Sequence, residues 1–236
     1  MSVKTTQQHR PSGQRGHFDH GWLETYHSFS FGAYQDPDWM GFRSLRVINE
    51  DLIGARMGFG EHGHRDMEII TYPVSGAVRH RDSLGHEEDI TPGMIQHMSA
   101  GSGIRHSEFN PLGERTHMLQ IWIEPRERGI EPGHQSRAFS IHDERGALHL
   151  LASPDGVDGS LVIQQDAWMH AGVFGAGDTL SHTLGRAGHA WVQVVRGSVR
   201  INGTALRTGD GLALSHEQTL AFMFDEESEI LVFELN

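Results

Sequence analysis

The 236-residue chain has no cysteine. Disulfides, thiolate metal sites and cysteine nucleophiles are therefore excluded. Basic residues are scarce, with 19 Lys and Arg against 31 Asp and Glu, for a formal net charge of −12. That balance offers no electrostatic footprint for nucleic-acid phosphates or an anionic membrane, so neither is expected as a partner. No apolar run approaches the roughly 18 residues of a membrane-spanning helix. The opening MSVKTTQQHRPSGQRG lacks the apolar core of a signal peptide, which makes a cytoplasmic location the expectation. Helical periodicity is nearly missing as well; only residues 143–151 suggest a turn or two of helix.

What the chain does have is glycine, 29 residues of it, and short apolar segments between turn signals. LRVIN (45–49), EIITYPV (68–74), HMLQIWI (117–123) and AWVQVV (190–195) read as strands. Asp36-Pro37, Asn110-Pro111 and Asn202-Gly203 read as turns between strands. The expected fold class is all-β, an antiparallel sandwich or barrel. A weak repeat is also present. TYPVSGAVRHRD (71–82) resembles VQVVRGSVRING (192–203), aligning Gly76 with Gly197, and TPGMI (91–95) resembles TGDGL (208–212). The polar stretch 124–137, with Pro125 and Pro132, reads as a linker. Two similar β-domains, 1–135 and 136–236, are expected.

The chain has 18 histidines, so the question is which of them share a face. In GFGEHGHRDMEIITY (58–72), His62 and His64 are two apart, and alternation on a strand points both the same way, about 6.6 Å apart. In MSAGSGIRHSEFN (98–110), His106 and Glu108 repeat that spacing. Either pair alone is a weak signal. Together, each following a Gly-rich turn, they describe a site for one divalent transition metal held by His62, His64, His106 and Glu108. Burying those groups unpaired would cost several kcal/mol, on the order of the penalty for a stranded polar group. The alternative is that both strands face solvent. His80, His86 and His97 lie near turns and read as surface residues, and His9, His17 and His20 sit in a polar segment. His182 and His189, seven apart, face opposite sides of a regular strand, and His27 lies among aromatics as a candidate buried hydrogen-bonding residue. Glu68 is either a partner behind the ligands or a charge at a strand's start. Phe29, Phe31, Phe42, Met57, Phe59 and Met98 are candidates to line an aromatic-binding pocket.

Gly58, His62, His64, Glu68 and Gly76 resemble the first cupin motif, with Arg56 at the expected glycine position, and Pro92, Gly93 and His106 resemble the second. HGWLETYHSFSFGAYQDP (20–37), MGFRSLRVINED (40–51), FGEHGHRDMEIITY and MSAGSGIRHSEFN are similar to segments of the pirin family, particularly bacterial pirins with quercetinase activity. The resemblance implies two tandem cupin jelly-roll barrels, a metal on His62, His64, His106 and Glu108, and Glu68 outside the ligand set. It favours Fe(II), with Ni, Co, Mn, Cu or Zn as alternatives. It further implies a dioxygenase that opens the central ring of a flavonol such as quercetin with dioxygen, releasing carbon monoxide. In that reaction Glu108 is both ligand and catalytic base. Three imidazoles and one carboxylate leave coordination positions open, which suits chemistry.

In the second half, the repeat places Thr183 and Gly185 where His62 and His64 stand, and Phe222 and Phe224 where His106 and Glu108 stand. An apolar F-x-F cannot hold a cation, so the C-terminal domain is expected to be metal-free. The rival functions are a regulatory pirin that senses metal or redox state and binds protein partners, and a cupin with isomerase chemistry.

Overall fold

A computed structural model describes residues 5–185 and 188–236. The chain divides into two compact units, Gly16–Phe139 with Leu161–Gln165, and Met1–Arg15 with Ser140–Ser160 and Asp166–Asn236. Among the described residues there are strands and two 3-10 turns but no α-helix. No helix among the described residues is long and apolar enough to cross a membrane.

In the N-terminal unit the strands run side by side as Gly16–Asp19, Leu23–His27, Leu45–Ile53, Thr116–Ile123, Gly58–Ser75, Met94–Phe109, Val78–Asp82 and Glu87–Ile90. Two of them are unusually long, Gly58–Ser75 with 18 residues and Met94–Phe109 with 16. Their pairing shifts register between Phe59 and His62 and again between His64 and Asp66. Such bulges bend a strand, so each long strand serves two layers of the barrel. Ile69, Ile70, Val78, Ile95 and Ile121 are buried along these strands.

The C-terminal unit separates the same plan into two sheets. One runs Thr6–Arg10, Gly211–Ser215, His189–Arg196, Ser228–Leu235, Ala167–Phe174, His149–Ser153; the other runs Thr179–Thr183, Thr219–Phe224, Ser198–Ile201, Thr204–Arg207. Val192, Val194, Phe222, Phe224 and Val232 share its core. Phe174 stacks on Phe224 at 4.1 Å.

The repeat marks equivalent turns. Gly76 (φ +79°) follows the strand ending at Ser75 and Gly197 (φ +92°) the one ending at Arg196. A β-carbon at either would strike Thr116 or the Glu227 and Ser228 backbone, and the left-handed φ strains other residues. Sequence and structure agree here because one backbone requirement recurs.

Three expectations need correction. Residues 141–146 form turns and bends rather than helix, with Gly146 at φ +82°, and His149–Ser153 pairs with Ala167–Phe174. The supposed linker contains Gly133–Ala138, a strand antiparallel to Met94–Ser99. It looks like a linker because none of its six residues is fully buried, so it lacks an apolar signature. The observed division also departs from a cut at 135/136. Thr6–Arg10 pairs with Gly211–Ser215 in the C-terminal unit, and the paired strand carries the N-terminal unit on to Phe139.

Candidate metal centre

His62 and His106 are direct partners in the antiparallel ladder between Gly58–Ser75 and Met94–Phe109, and His64 lies two residues further along. Alternation places the three rings on one face. The His62 and His64 Nε2 atoms lie 3.1 and 2.9 Å from His106 Nε2. Two ligands at about 2.0–2.1 Å from a cation and at right angles to each other stand about 3 Å apart, so these spacings fit shared coordination. A single proton on His106 Nε2 could serve only one of the two short contacts, whereas a cation serves all three nitrogens. His62 Nδ1 is 2.8 Å from the Gly60 carbonyl; donation there leaves Nε2 with its lone pair inward. Burial, reinforced by neighbouring histidines, lowers the His64 pKa to about 4 and the His106 pKa to about 3. Both are therefore neutral at pH 7, as ligands must be.

Glu108 lies on the same strand and is buried, but its carboxylate is outside the tight group of three nitrogens. Thr71 Oγ1 donates to one oxygen at 2.9 Å and Gln120 Nε2 to the other at 2.6 Å. Its charge still favours protonation of His64. Glu68 is elsewhere engaged: His97 Nε2, Ser99 Oγ and the Gln164 amide lie at 2.8, 2.6 and 3.0 Å from its carboxylate. It ties the Leu161–Gln165 segment to the N-terminal sheet.

Two surface assignments fail. His97 is buried against Glu68, and His80 is buried in a row of rings behind the site. The His80 ring lies 5.4 Å from His106 and 4.9 Å from His134, which stacks on His86 at 4.5 Å. Proximity to turns misled because Val78–Asp82 alternates buried and exposed positions, with Val78, His80 and Asp82 inward. His86 is exposed as expected, and His27 is buried among Phe18 and Phe31.

A cavity of about 570 Å³ opens beside the rings, with walls including Phe18, Phe31, Phe59, Trp122, Asp51 and Gln120. Of the residues proposed for a pocket, Phe31 and Phe59 line it. Phe29 and Met98 are buried elsewhere, Met57 is half exposed, and Phe42 does not line the cavity. Sequence reasoning missed Trp122, whose ring meets His64 edge-on at 4.9 Å. The available signal was its two-residue spacing from Gln120, which put both on the face of the cavity. Asp51 was missed too. Burial, with the nearby Glu108 and Glu50 charges, pushes its pKa up to about 7 despite Thr25 and His117.

Two β-barrels in tandem, the first with converging histidines beside an aromatic cavity, define a bicupin. A pirin profile matches residues 7–123, and one described as the quercetinase C-terminal cupin domain matches 150–235. The chain is 47% identical to the quercetin 2,3-dioxygenase of Escherichia coli K12, covering 96% of this chain and 97% of that one. It is 40% identical to a pirin-like protein of Caulobacter vibrioides, covering 94% and 97%. The crystal structure of the E. coli bacterial pirin YhhW in complex with nickel(II) superposes with TM-score 0.93 at 45% identity, covering 98% and 99%. The chain belongs to the pirin family.

Proposed function

We propose that the N-terminal cavity is the active site of a quercetinase-type dioxygenase. One divalent transition metal is held there by His62, His64, His106 and Glu108. The observation that carries this reading is the convergence of three imidazole nitrogens on one point at the edge of an aromatic-walled cavity. The E. coli relative supports it, since it bears the name quercetin 2,3-dioxygenase and its crystal structure contains nickel(II). Fe(II) is the metal the family resemblance favours, and nickel(II) is one that a relative's structure contains.

When bound, the cation would supply Lewis acidity toward an acidic hydroxyl and redox-active electrons for reaction with dioxygen. The protein's own groups do the rest. Phe31, Phe59 and Trp122 offer flat apolar faces to a planar aromatic substrate and exclude water around it. Glu108, oriented by Thr71 and Gln120, takes the proton of the flavonol 3-hydroxyl. One dioxygen adds to one flavonol, the central ring opens, and carbon monoxide leaves with a depside.

Oxygen uptake with quercetin by metal-reconstituted protein tests the reading. Uptake by the wild type, its loss in His62→Ala, and a large drop in Glu108→Gln with metal retained are the expected results. Full turnover by metal-loaded Glu108→Gln removes the role of base; no uptake by the wild type removes the activity.

A further inference from the structure

Phe222 and Phe224 pack the core of the C-terminal unit, as an F-x-F pair should. At the mouth of that same barrel, however, three other strands bring together ligand-type groups. His170 lies on Ala167–Phe174, His182 on Thr179–Thr183 and Glu234 on Ser228–Leu235. Their candidate donor atoms all fall within 4.8 Å of one another. His182 Nε2 is 2.9 Å from Glu234 Oε1, and His170 Nδ1 is 4.0 Å from that oxygen. The His170 and His182 rings meet edge to face at 5.2 Å.

The register explains the convergence. His170 pairs with Val232 and His182 with Leu220, and both apolar partners belong to the core, so the two imidazoles face the interior from opposite sheets. Glu234, paired with Trp168, stands two residues beyond Val232 on the same face. In the N-terminal unit the strands at the same places in the sheet order carry Asn49, His62 and Trp122, which line its cavity. The C-terminal barrel thus carries a ligand set of different composition at the corresponding mouth.

A structural ion pair accounts for His182 and Glu234, and the Gly185 amide at 2.6 Å accounts for the second Glu234 oxygen. It leaves His170 without a close side-chain partner, the nearest carboxylate oxygen being 4.0 Å away. The His170 Nδ1 is buried with no hydrogen-bond partner. Burial, helped by the neighbouring His182, keeps this ring neutral at pH 7 against the pull of Glu234 and of the Val232 backbone. A neutral imidazole aimed at a carboxylate and a second imidazole is the arrangement of a two-histidine, one-carboxylate metal site. The group opens on a cavity of about 640 Å³ whose walls include Asp155, Asp166, Trp168 and Thr183. The remaining coordination positions are thus accessible to water or a small polar molecule.

We propose that His170, His182 and Glu234 form a second divalent transition-metal site, separate from the N-terminal one, with an open face toward this polar cavity. Equilibrium dialysis of the full chain against increasing Ni²⁺ to saturation, followed by metal analysis, tests it without reference to catalysis. The wild type should bind one equivalent more than His170→Gln and one more than Glu234→Gln. These replacements lie on different strands and both retain polar side chains, and circular dichroism checks that each variant folds. Equal stoichiometry in the wild type and a folded variant overturns the proposal and leaves the cluster a structural ion pair. Because the readout is a difference between wild type and C-terminal variants, it does not depend on the N-terminal assignment.

Discussion

His62 and His106 face each other across one antiparallel strand pair with their Nε2 atoms 3.1 Å apart. Register, not proximity in sequence, makes them neighbours, since 44 positions separate them along the chain. Replacing His106 by alanine removes the nitrogen that both other rings approach. The expected outcome is loss of one bound metal equivalent, with quercetin-dependent oxygen uptake falling by more than about 100-fold, beyond what losing a mere supporting partner causes. Retained metal together with retained uptake would show that the cation is held elsewhere.

Gln120 and Thr71 together occupy both Glu108 oxygens. Gln120→Leu strands one carboxylate oxygen without its donor in a buried site, a cost of about 1–3 kcal/mol. Denaturant unfolding of metal-free protein should show that loss. Metal titration should show affinity weakened by roughly 10–100-fold, the usual effect of disturbing a ligand's support. Unchanged affinity would mean that Glu108 does not depend on Gln120 for its orientation.

Burial opposes ionisation of Glu68, but donors from His97, Ser99 and the Gln164 amide outweigh it and hold its pKa below the ordinary glutamate value. Glu68→Leu leaves His97 buried without its carboxylate. Leaving a buried donor unsatisfied costs about 1–3 kcal/mol, which should appear as a lower unfolding midpoint. Metal stoichiometry of the folded variant should stay that of the wild type. Loss of one equivalent would make Glu68 part of the site after all.

Much of this was legible because strands write their faces with a period of two. The spacing of His62 with His64, and of His106 with Glu108, put each pair on one face, and the Gly76/Gly197 repeat exposed the two barrels. What stayed hidden depended on pairing between distant strands. Nothing local says that His80 points inward behind His106, or that His170 meets Glu234, because the strands that join them are brought together only by the sheet. The edge strand Gly133–Ala138 escaped notice for a related reason: its half-buried polar residues carry no apolar pattern, and only its partner Met94–Ser99 defines it. Asp51 carries no local signal either, because only the assembled sheet encloses it in the cavity wall.

That enclosure gives Asp51 a pH signature. Its pKa rises from an ordinary 3.8 to about 7, chiefly through burial, with Glu108 and Glu50 adding to the rise and Thr25 and His117 opposing it. Between pH 4 and 7 the native protein therefore keeps a proton that the unfolded chain has lost. This contribution is fully present below pH 4 and fades as pH rises through 7. His64 and His106 act in the opposite sense, because their lowered pKa values make the unfolded chain bind more protons between about pH 4 and 6.5. The wild-type curve alone mixes these effects, so the informative quantity is the difference from Asp51→Asn. With chelator present, the variant should gain stability relative to the wild type as pH increases from 4 to 7.5. The gain should be on the order of 2–4 kcal/mol, at about 1.4 kcal/mol per unit of displacement. Urea unfolding at half-unit pH steps measures it. A difference that stays flat across that range would place the Asp51 proton loss at its ordinary pH, and with it the carboxylate in contact with water.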